Sequence, residues 1–164
     1  MELQDKPTTV FMHFESSENT ENKELKVHVD IVQNCQSKML TIDAVSMFNY
    51  KELRDFDLML EGLRGQISTG KLLFIANVDS LREFEQLAYD SATVQYLCDT
   101  RAKGFCKFDD HEVIDIKTLY NQYQFKIISK GGVYQPMNEC FSAHSKVGRD
   151  CLEEMKKLYF AITQ

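Results

Sequence analysis

Alternation of apolar and polar residues in the first fifty positions predicts β-strands. Between Glu24 and Gln33, apolar residues take every second position from Leu25 to Ile31 and polar residues lie between them. A period of two is typical of a strand with one buried face. The pattern also predicts a first strand from Thr8 to Phe14. A third strand, from Met39 to Phe48, is expected to form a hairpin with the second.

The stretch from Phe56 to Ser91 predicts a strand, a glycine-containing turn, a second strand and a helix. The two strands are expected over Phe56–Gly62 and Lys71–Val78, because each is a short apolar run beside turn residues. The helix is expected to begin at Asp79 or Ser80, which are good capping residues. Its apolar residues recur at helical spacing: Leu81, Phe84, Leu87 and Ala88.

The second half of the chain predicts an antiparallel meander followed by a helix. Short apolar runs alternate with turn residues, as in successive hairpins. The predicted strands are Thr93–Cys98, Gly104–Phe108, Val113–Ile116 and Tyr123–Ile128. Apolar residues at helical intervals then predict an amphipathic C-terminal helix over Val147–Ile162.

Together these elements predict an α+β fold. We expect an antiparallel sheet of about six to eight strands, a central helix packed on it and a C-terminal amphipathic helix. A length of 164 residues favours a single domain, 1–164. Its segments are 8–48 (N-terminal strands), 56–91 (strand, turn, strand and helix), 93–144 (antiparallel strands) and 147–162 (helix).

The sequence predicts a cytoplasmic protein without a membrane span. No run of eighteen apolar residues is present, and the first residues are polar and acidic, unlike a secretory signal. The five cysteines are odd in number and scattered, which predicts reduced thiols and no disulfide.

Acidic residues are concentrated in the middle of the chain. The formal net charge is −6, and residues 79–115 carry nine acids against four bases. Such a surface repels phosphate backbones, so nucleic-acid binding is disfavoured. It suits a basic protein partner, although a solvated surface that keeps the protein soluble is the alternative interpretation.

The chain lacks a recognisable cofactor motif. Gly65–Lys71 has the glycine spacing of a phosphate-binding loop, but Leu72 follows where magnesium binding needs a hydroxyl, and a strand follows where a helix is needed. The stretch therefore predicts a turn and no bound nucleotide. No catalytic signature is present, so no catalytic residue and no cofactor are predicted.

Two further groups of residues contain side chains that could form a chemical site. The acids and histidine of Asp109–Glu112, with Asp115, offer metal ligands. Adjacent residues on a turn are expected to point in different directions, which favours a solvated turn without metal. Cys98 and Cys106 lack the spacing of a metal knuckle and are interpreted as free core cysteines.

One layout within the chain resembles a known class of proteins. It consists of Phe56-x-Leu58-x-Leu60-Glu61-Gly62, then Gly65, then Leu81-Arg82-Glu83-Phe84 at the start of a helix, repeated strands and a C-terminal helical region. Over residues 25–128 this is similar to bacterial toxin-immunity proteins, including those of contact-dependent growth inhibition. The resemblance implies a non-enzymatic inhibitor that binds and neutralises a cognate toxin domain. Such a domain is expected to be a basic nuclease.

The acidic segment supplies the expected partner-binding site, and two rival functions stay open. One rival is a small hydrolase with a dispersed thiol or carboxylate site, and the other is an adaptor that binds peptides along a sheet edge. Tyr120 and Tyr123 are the aromatic residues expected to be exposed, where tyrosine would serve an interface. The predicted partner-binding residues are Asp109, Asp110, Glu112, Asp115, Glu83, Glu85, Asp90, Tyr120 and Tyr123.

Overall fold

The computed structural model describes most of the chain as one mixed sheet with helices. The described residues are 8–17, 24–33, 36–45, 50–66, 72–96, 106–133, 141 and 150–163. The strands are β1 (Thr8–Ser17), β2 (Glu24–Gln33), β3 (Gln36–Val45), β4 (Leu72–Ala76) and β5 (Val113–Asp115). The helices are α1 (Tyr50–Gln66), α2 (Val78–Tyr96), α3 (Ile116–Ser129) and α4 (Asp150–Thr163), with a 3-10 turn at Asp110–Glu112.

The five strands lie in the order β3-β2-β1-β4-β5. β1, β2 and β3 are antiparallel neighbours, whereas β4 runs parallel to β1 and β5 parallel to β4. The fold is α+β as predicted, but the sheet has five strands in the described residues and is not wholly antiparallel. Parallel neighbours require a crossover connection, which α2 supplies between β4 and β5.

The N-terminal strands and the hairpin are confirmed. β2 and β3 pair through ten successive residues, from Glu24 opposite Val45 to Gln33 opposite Gln36. β3 begins three residues before the predicted Met39, and residues 46–48 of that prediction lie outside the described part of the chain. The strand predicted over Lys71–Val78 is β4.

The helix predicted after β4 is α2, and its cap is Asn77, two or three residues before the predicted Asp79 or Ser80. The side-chain oxygen of Asn77 accepts a hydrogen bond from the Ser80 N–H at 3.1 Å, as an N-cap does. Asn77 also donates through its amide nitrogen to the Phe141 carbonyl at 2.9 Å. One buried side chain therefore starts the helix and holds a distant segment.

The strand predicted over Phe56–Gly62 is wrong, because these residues belong to α1. The buried side chains are Leu53, Phe56 and Leu60, which follow helical spacing, whereas Leu58 is 53% exposed. The prediction began at Phe56 and so missed the turn that contains Leu53. A short apolar run does not by itself separate a strand from one face of a helix.

The antiparallel meander is wrong for the same reason. Thr93–Tyr96 lie in α2, Tyr123–Ile128 lie in α3, and Cys106–Phe108 form no strand. Val113–Asp115 is a strand, although it pairs in parallel with β4. The predicted residues 97, 98, 104 and 105 lie outside the described ranges.

Helices cover both faces of the sheet. On β1, Val10, Met12 and Phe14 pack with α1 and α2, whereas Phe11 points to the other face and packs with α3 and α4. The prediction of a C-terminal helix is confirmed by α4, whose residues Leu152, Met155 and Leu158 are buried. The sheet therefore separates two apolar cores, one on each face.

The prediction of reduced thiols is wrong for Cys151, which is disulfide-bonded. Its partner sulfur lies outside the described residues, where Cys106 is a free, buried thiol. The expected cytoplasmic location therefore loses its argument from reduced cysteines. None of the described helices combines the length and the apolar character that crossing a bilayer requires.

Candidate functional site

The predicted acidic site is an anchored turn between residues 106 and 112, which we call the acidic turn. Phe108 is buried and packs edge-on against Phe74 of β4, with ring centroids 4.9 Å apart. The Cys106 N–H donates to the Asp57 carboxylate at 2.8 Å, and the Cys106 thiol donates to the Leu53 carbonyl at 3.4 Å. The turn is thus fixed to both β4 and α1.

Two arginines hold the backbone of the acidic turn from either side. Arg64 of α1 donates to the Lys107 carbonyl at 2.9 Å, and its guanidinium carbon lies 5.7 Å from the centre of the Phe74 ring. Arg82 of α2 donates to the Phe108 carbonyl at 3.0 Å. Cationic donors make strong bonds to carbonyl oxygens, so these contacts restrict the turn.

The same arginines pair with part of the acidic charge. Arg64 contacts Glu112 at 3.2 Å, and Arg82 contacts both Asp110 and Glu85. Burial raises the pKa of Glu85, although the hydrogen bond and positive charge of Arg82 act in the opposite direction. The nine acids predicted as one negative surface are therefore partly neutralised within the chain.

Asp109, Asp110 and His111 remain exposed at the tip of the acidic turn. The Asp110 side chain is 96% exposed despite its contact with Arg82. An ion pair with that much exposure is screened by water and contributes little to stability. Asp109 and Asp110 are therefore the acids of this turn that a partner protein could reach most readily.

The other predicted acidic site residues have different structural roles. Asp115 caps α3 by accepting the Lys117 N–H at 3.2 Å, and Asp90 lies exposed on α2, where it accepts from Gln86. Glu83 is half-buried on α2. The structure gathers Asp109, Asp110, Glu112 and Glu85 around the two arginines, but it does not bring Asp90 or Asp115 to them.

The predicted exposure of the tyrosines is wrong for Tyr120, which is 5% exposed. Tyr120 packs with Phe141 in the core beneath α3 and α4, and Tyr123 is partly buried against the same core. The sequence prediction of exposure rests on the polar residues that lie between the two tyrosines. Helix α3 instead exposes Phe125 and Ile128, which lie off its buried face.

One group of described residues could hold a cation. Ligand atoms of Asp109, His111 and Glu112 lie within 4.8 Å of one another, so the expectation that they point apart is wrong. The 3-10 turn brings them together, and oxygen and imidazole ligands would suit a divalent ion. Glu112 is already paired with Arg64, however, and a cation would have to compete for that carboxylate.

A thiol nucleophile is disfavoured at Cys106. Burial, followed by the negative charge of Asp57, raises the pKa of this thiol strongly. A catalytic cysteine needs the opposite, since the thiolate is the nucleophile. Its backbone has φ 51°, a left-handed conformation that is uncommon for a residue with a side chain.

Sequence reasoning missed a row of buried polar side chains on the face beneath α4. His28 contacts the Glu15 carboxylate at 2.7 Å and the Thr41 hydroxyl at 3.3 Å. Asp30 is fully buried and contacts Lys156 of α4 at 2.9 Å. The alternation in β2 did place His28 and Asp30 on one face, but nothing in it indicated that a helix covers that face.

Comparison with family models, with curated proteins and with solved structures found no match to this chain.

Proposed function

We propose that the protein is a non-catalytic inhibitor, an immunity protein that binds and neutralises a basic toxin domain. The observation that carries this proposal is the acidic turn, which holds exposed carboxylates on a restrained backbone. The toxin-immunity resemblance supplies the class of partner, and a nuclease is the expected toxin because nucleases carry basic surfaces.

Restraint of the turn favours tight binding. A flexible loop loses conformational entropy when a partner orders it, whereas a preorganised surface avoids much of that cost. Here Phe108 is buried, and Arg64 and Arg82 bind consecutive carbonyls of the turn. Asp109 and Asp110 would therefore meet a basic partner with little rearrangement.

Opposite charges would also speed the encounter. Steering by a charged surface raises association rates, and salt weakens it. Asp109 and Asp110 would contribute most, since they are exposed, whereas Glu112 and Glu85 would act mainly by holding the arginines. A hydrolase that uses Cys106 as its nucleophile is disfavoured, because this thiol is buried and its pKa is raised.

The test uses charge reversal at the two exposed acids. The tagged chain and its Asp109→Lys/Asp110→Lys variant are each used to capture proteins from the native host. We expect the unmodified chain to retain a basic protein at one to one, and the variant to retain at least tenfold less. Glu112 is left unchanged because its side chain is mostly buried against Arg64, whereas Asp110 is 96% exposed and Arg82 retains Glu85 and the Phe108 carbonyl in the variant.

The matched control is Asp90→Lys, which reverses an exposed acid on α2 outside the acidic turn. This control should bind like the unmodified chain, and its association rate should fall equally as salt is raised. If the double variant folds and still captures the partner and protects cells, the acidic turn is solvated surface. Capture of no basic protein would count against the immunity function itself.

A further inference from the structure

We propose that the outer edge of β3, together with the cleft between β3 and α1, binds an extended peptide segment of a partner protein as an added strand. The peptide would place apolar side chains toward α1 and a Lys or Arg near one end of the cleft. This surface is separate from the acidic turn, so the proposal does not depend on the inhibitor function.

The first argument is the long, regular edge of the sheet. β3 is the terminal strand of the sheet, and its ten residues pair with β2 without a bulge. In the ranges that the structure describes, its other edge pairs with no strand. An edge of this kind presents unpaired N–H and C=O groups, whose natural complement is another extended backbone.

The second argument is the cleft beside that edge. Two cavities, of about 460 and 220 Å³, follow β3 on the α1 side, and Met59 lines both. The larger lies next to Gln36–Lys38 and Leu63, and the smaller lies next to Leu40 and Phe56. Side chains on one face of a strand recur about every 6.8 Å, so alternate residues of an added strand would enter successive cavities.

The third argument is the charge along the cleft. Glu52 and Asp55 line the smaller cavity, whereas Lys38 lines the larger one. Lys51 and Arg54 are also exposed on α1, but they line neither cavity. A basic residue of the peptide would therefore be favoured at the end lined by Asp55 and disfavoured at the Lys38 end.

The test measures binding of defined peptides to the full chain by fluorescence anisotropy. The probes are fluorescein-labelled ten-residue peptides in which Thr and Val alternate, with two Lys or two Glu residues at one end. We expect the Lys probe to bind saturably and at least tenfold more tightly than the Glu probe. The Glu52→Lys/Asp55→Lys variant should remove that preference, whereas Asp90→Lys should retain it.

Backbone methylation tests whether the peptide adds as a strand. In an added strand, alternate N–H groups face β3, so N-methylation of one alternate set should abolish binding and methylation of the other should spare it. Circular dichroism checks that each variant folds, and Asp55→Asn provides a milder change at the same cavity. Equal binding of the two methylated probes, or no saturable binding, would overturn the proposal. If sedimentation shows a dimer that none of the probes dissociates, the edge is assigned to a second copy of this chain. That result would also overturn the proposal.

Discussion

The two faces of the sheet are buried in different ways. The face beneath α1 and α2 is mainly apolar, and the ring centroid of Phe84 of α2 lies there 5.6 Å from that of Phe14 and 5.8 Å from that of Phe56. The face beneath α3 and α4 is apolar around Phe11 and Ile75 but polar on β2, where His28 and Asp30 are buried.

The first face is therefore held by apolar packing, whereas the second also depends on specific pairs of polar side chains. Apolar contacts tolerate changes of shape if volume is kept, so the first face holds its helices mainly by burial. A buried charge is tolerated only with partners, and Asp30 finds them in Lys156 of α4 and Ser37 of β3. We infer that this pairing contributes to the position of α4 on the sheet.

The largest effect is expected from Phe84→Ala on the apolar face. Phe84 is fully buried between aromatic rings from β1 and α1, so its truncation leaves a cavity that neighbours cannot fill. We expect a loss of about 3–5 kcal/mol in the free energy of unfolding, measured by urea denaturation. Leu58→Ala, at a position of α1 that is 53% exposed, is the control and should change the free energy of unfolding by about 0.5 kcal/mol or less. Similar effects of the two substitutions would show that the face is loosely packed.

The helices on these faces were only partly predictable from sequence. α2 and α4 have apolar residues at clear helical spacing, and both were predicted. In α3 the buried positions follow helical spacing, but exposed Phe125 and Ile128 fill the intervening positions and make the segment look like a strand. Local pattern alone does not tell which apolar residues a neighbouring layer will cover.

The acidic turn was predicted in position but not in contacts. The charge count identified Asp109, Asp110 and Glu112, whereas their arginines come from α1 and α2, up to 48 residues away in sequence. Such pairs depend on how α1 and α2 pack beside the sheet. The prediction of a strand in place of α1 did not allow that arrangement to be inferred. Of the two partners of Asp30, Ser37 lies only seven residues away across the β2–β3 hairpin, whereas Lys156 of α4 is distant in sequence.

The next largest effect is expected from Asp30→Ala on the polar face. Removing the carboxylate leaves Lys156 with only the exposed Glu153 as a partner, at 3.5 Å, and we expect a loss of about 3 kcal/mol in the free energy of unfolding. Asp30→Leu/Lys156→Met replaces both charges with apolar groups and should recover most of that loss. Failure of the double variant to recover stability would show that Ser37, not Lys156, is the more important partner.

The pair also predicts a dependence on pH. Burial lowers the pKa of Lys156, but the hydrogen bond and charge of Asp30, with a smaller contribution from Glu153, outweigh it, so the pKa is raised above its ordinary value of 10.5. A raised lysine pKa means that the folded state retains the proton more strongly. The contribution of the pair is therefore complete below pH 10 and is lost as pH rises through the folded-state pKa. Unfolding curves of the unmodified chain and Asp30→Ala should converge in that alkaline range.

A comparable effect is expected from reducing the disulfide of Cys151, which lies at the start of α4. Loss of a cross-link typically costs about 2–4 kcal/mol, because the unfolded chain regains entropy. Thermal unfolding with and without a reductant measures this change. Cys106→Ala is the control for thiol effects alone, since Cys106 is a free thiol. Thiol titration of the denatured, unreduced chain should find at most three of the five cysteines, and five would contradict the disulfide.

The smallest effect is expected from Thr41→Val at the outer end of the polar row. The Glu15 carboxylate only accepts hydrogen bonds, so the 2.7 Å contact places a proton on His28 Nε2. With neutral histidine, Nδ1 accepts from the Thr41 hydroxyl at 3.3 Å. Valine keeps the branched shape and removes that donor.

Because Thr41 is exposed on the edge strand, water can reach Nδ1 in the variant and replace the lost bond. We therefore expect a loss of only about 0.5–1 kcal/mol in the free energy of unfolding. Lys38→Gln, an exposed change on the same strand, is the matched control and should have a smaller effect. A loss above about 2 kcal/mol would mean that Nδ1 is left without water. The buried polar side chains beneath α4 would then be as inaccessible to water near β3 as they are at Asp30. The expectation that water reaches this row from the edge of the sheet would be wrong.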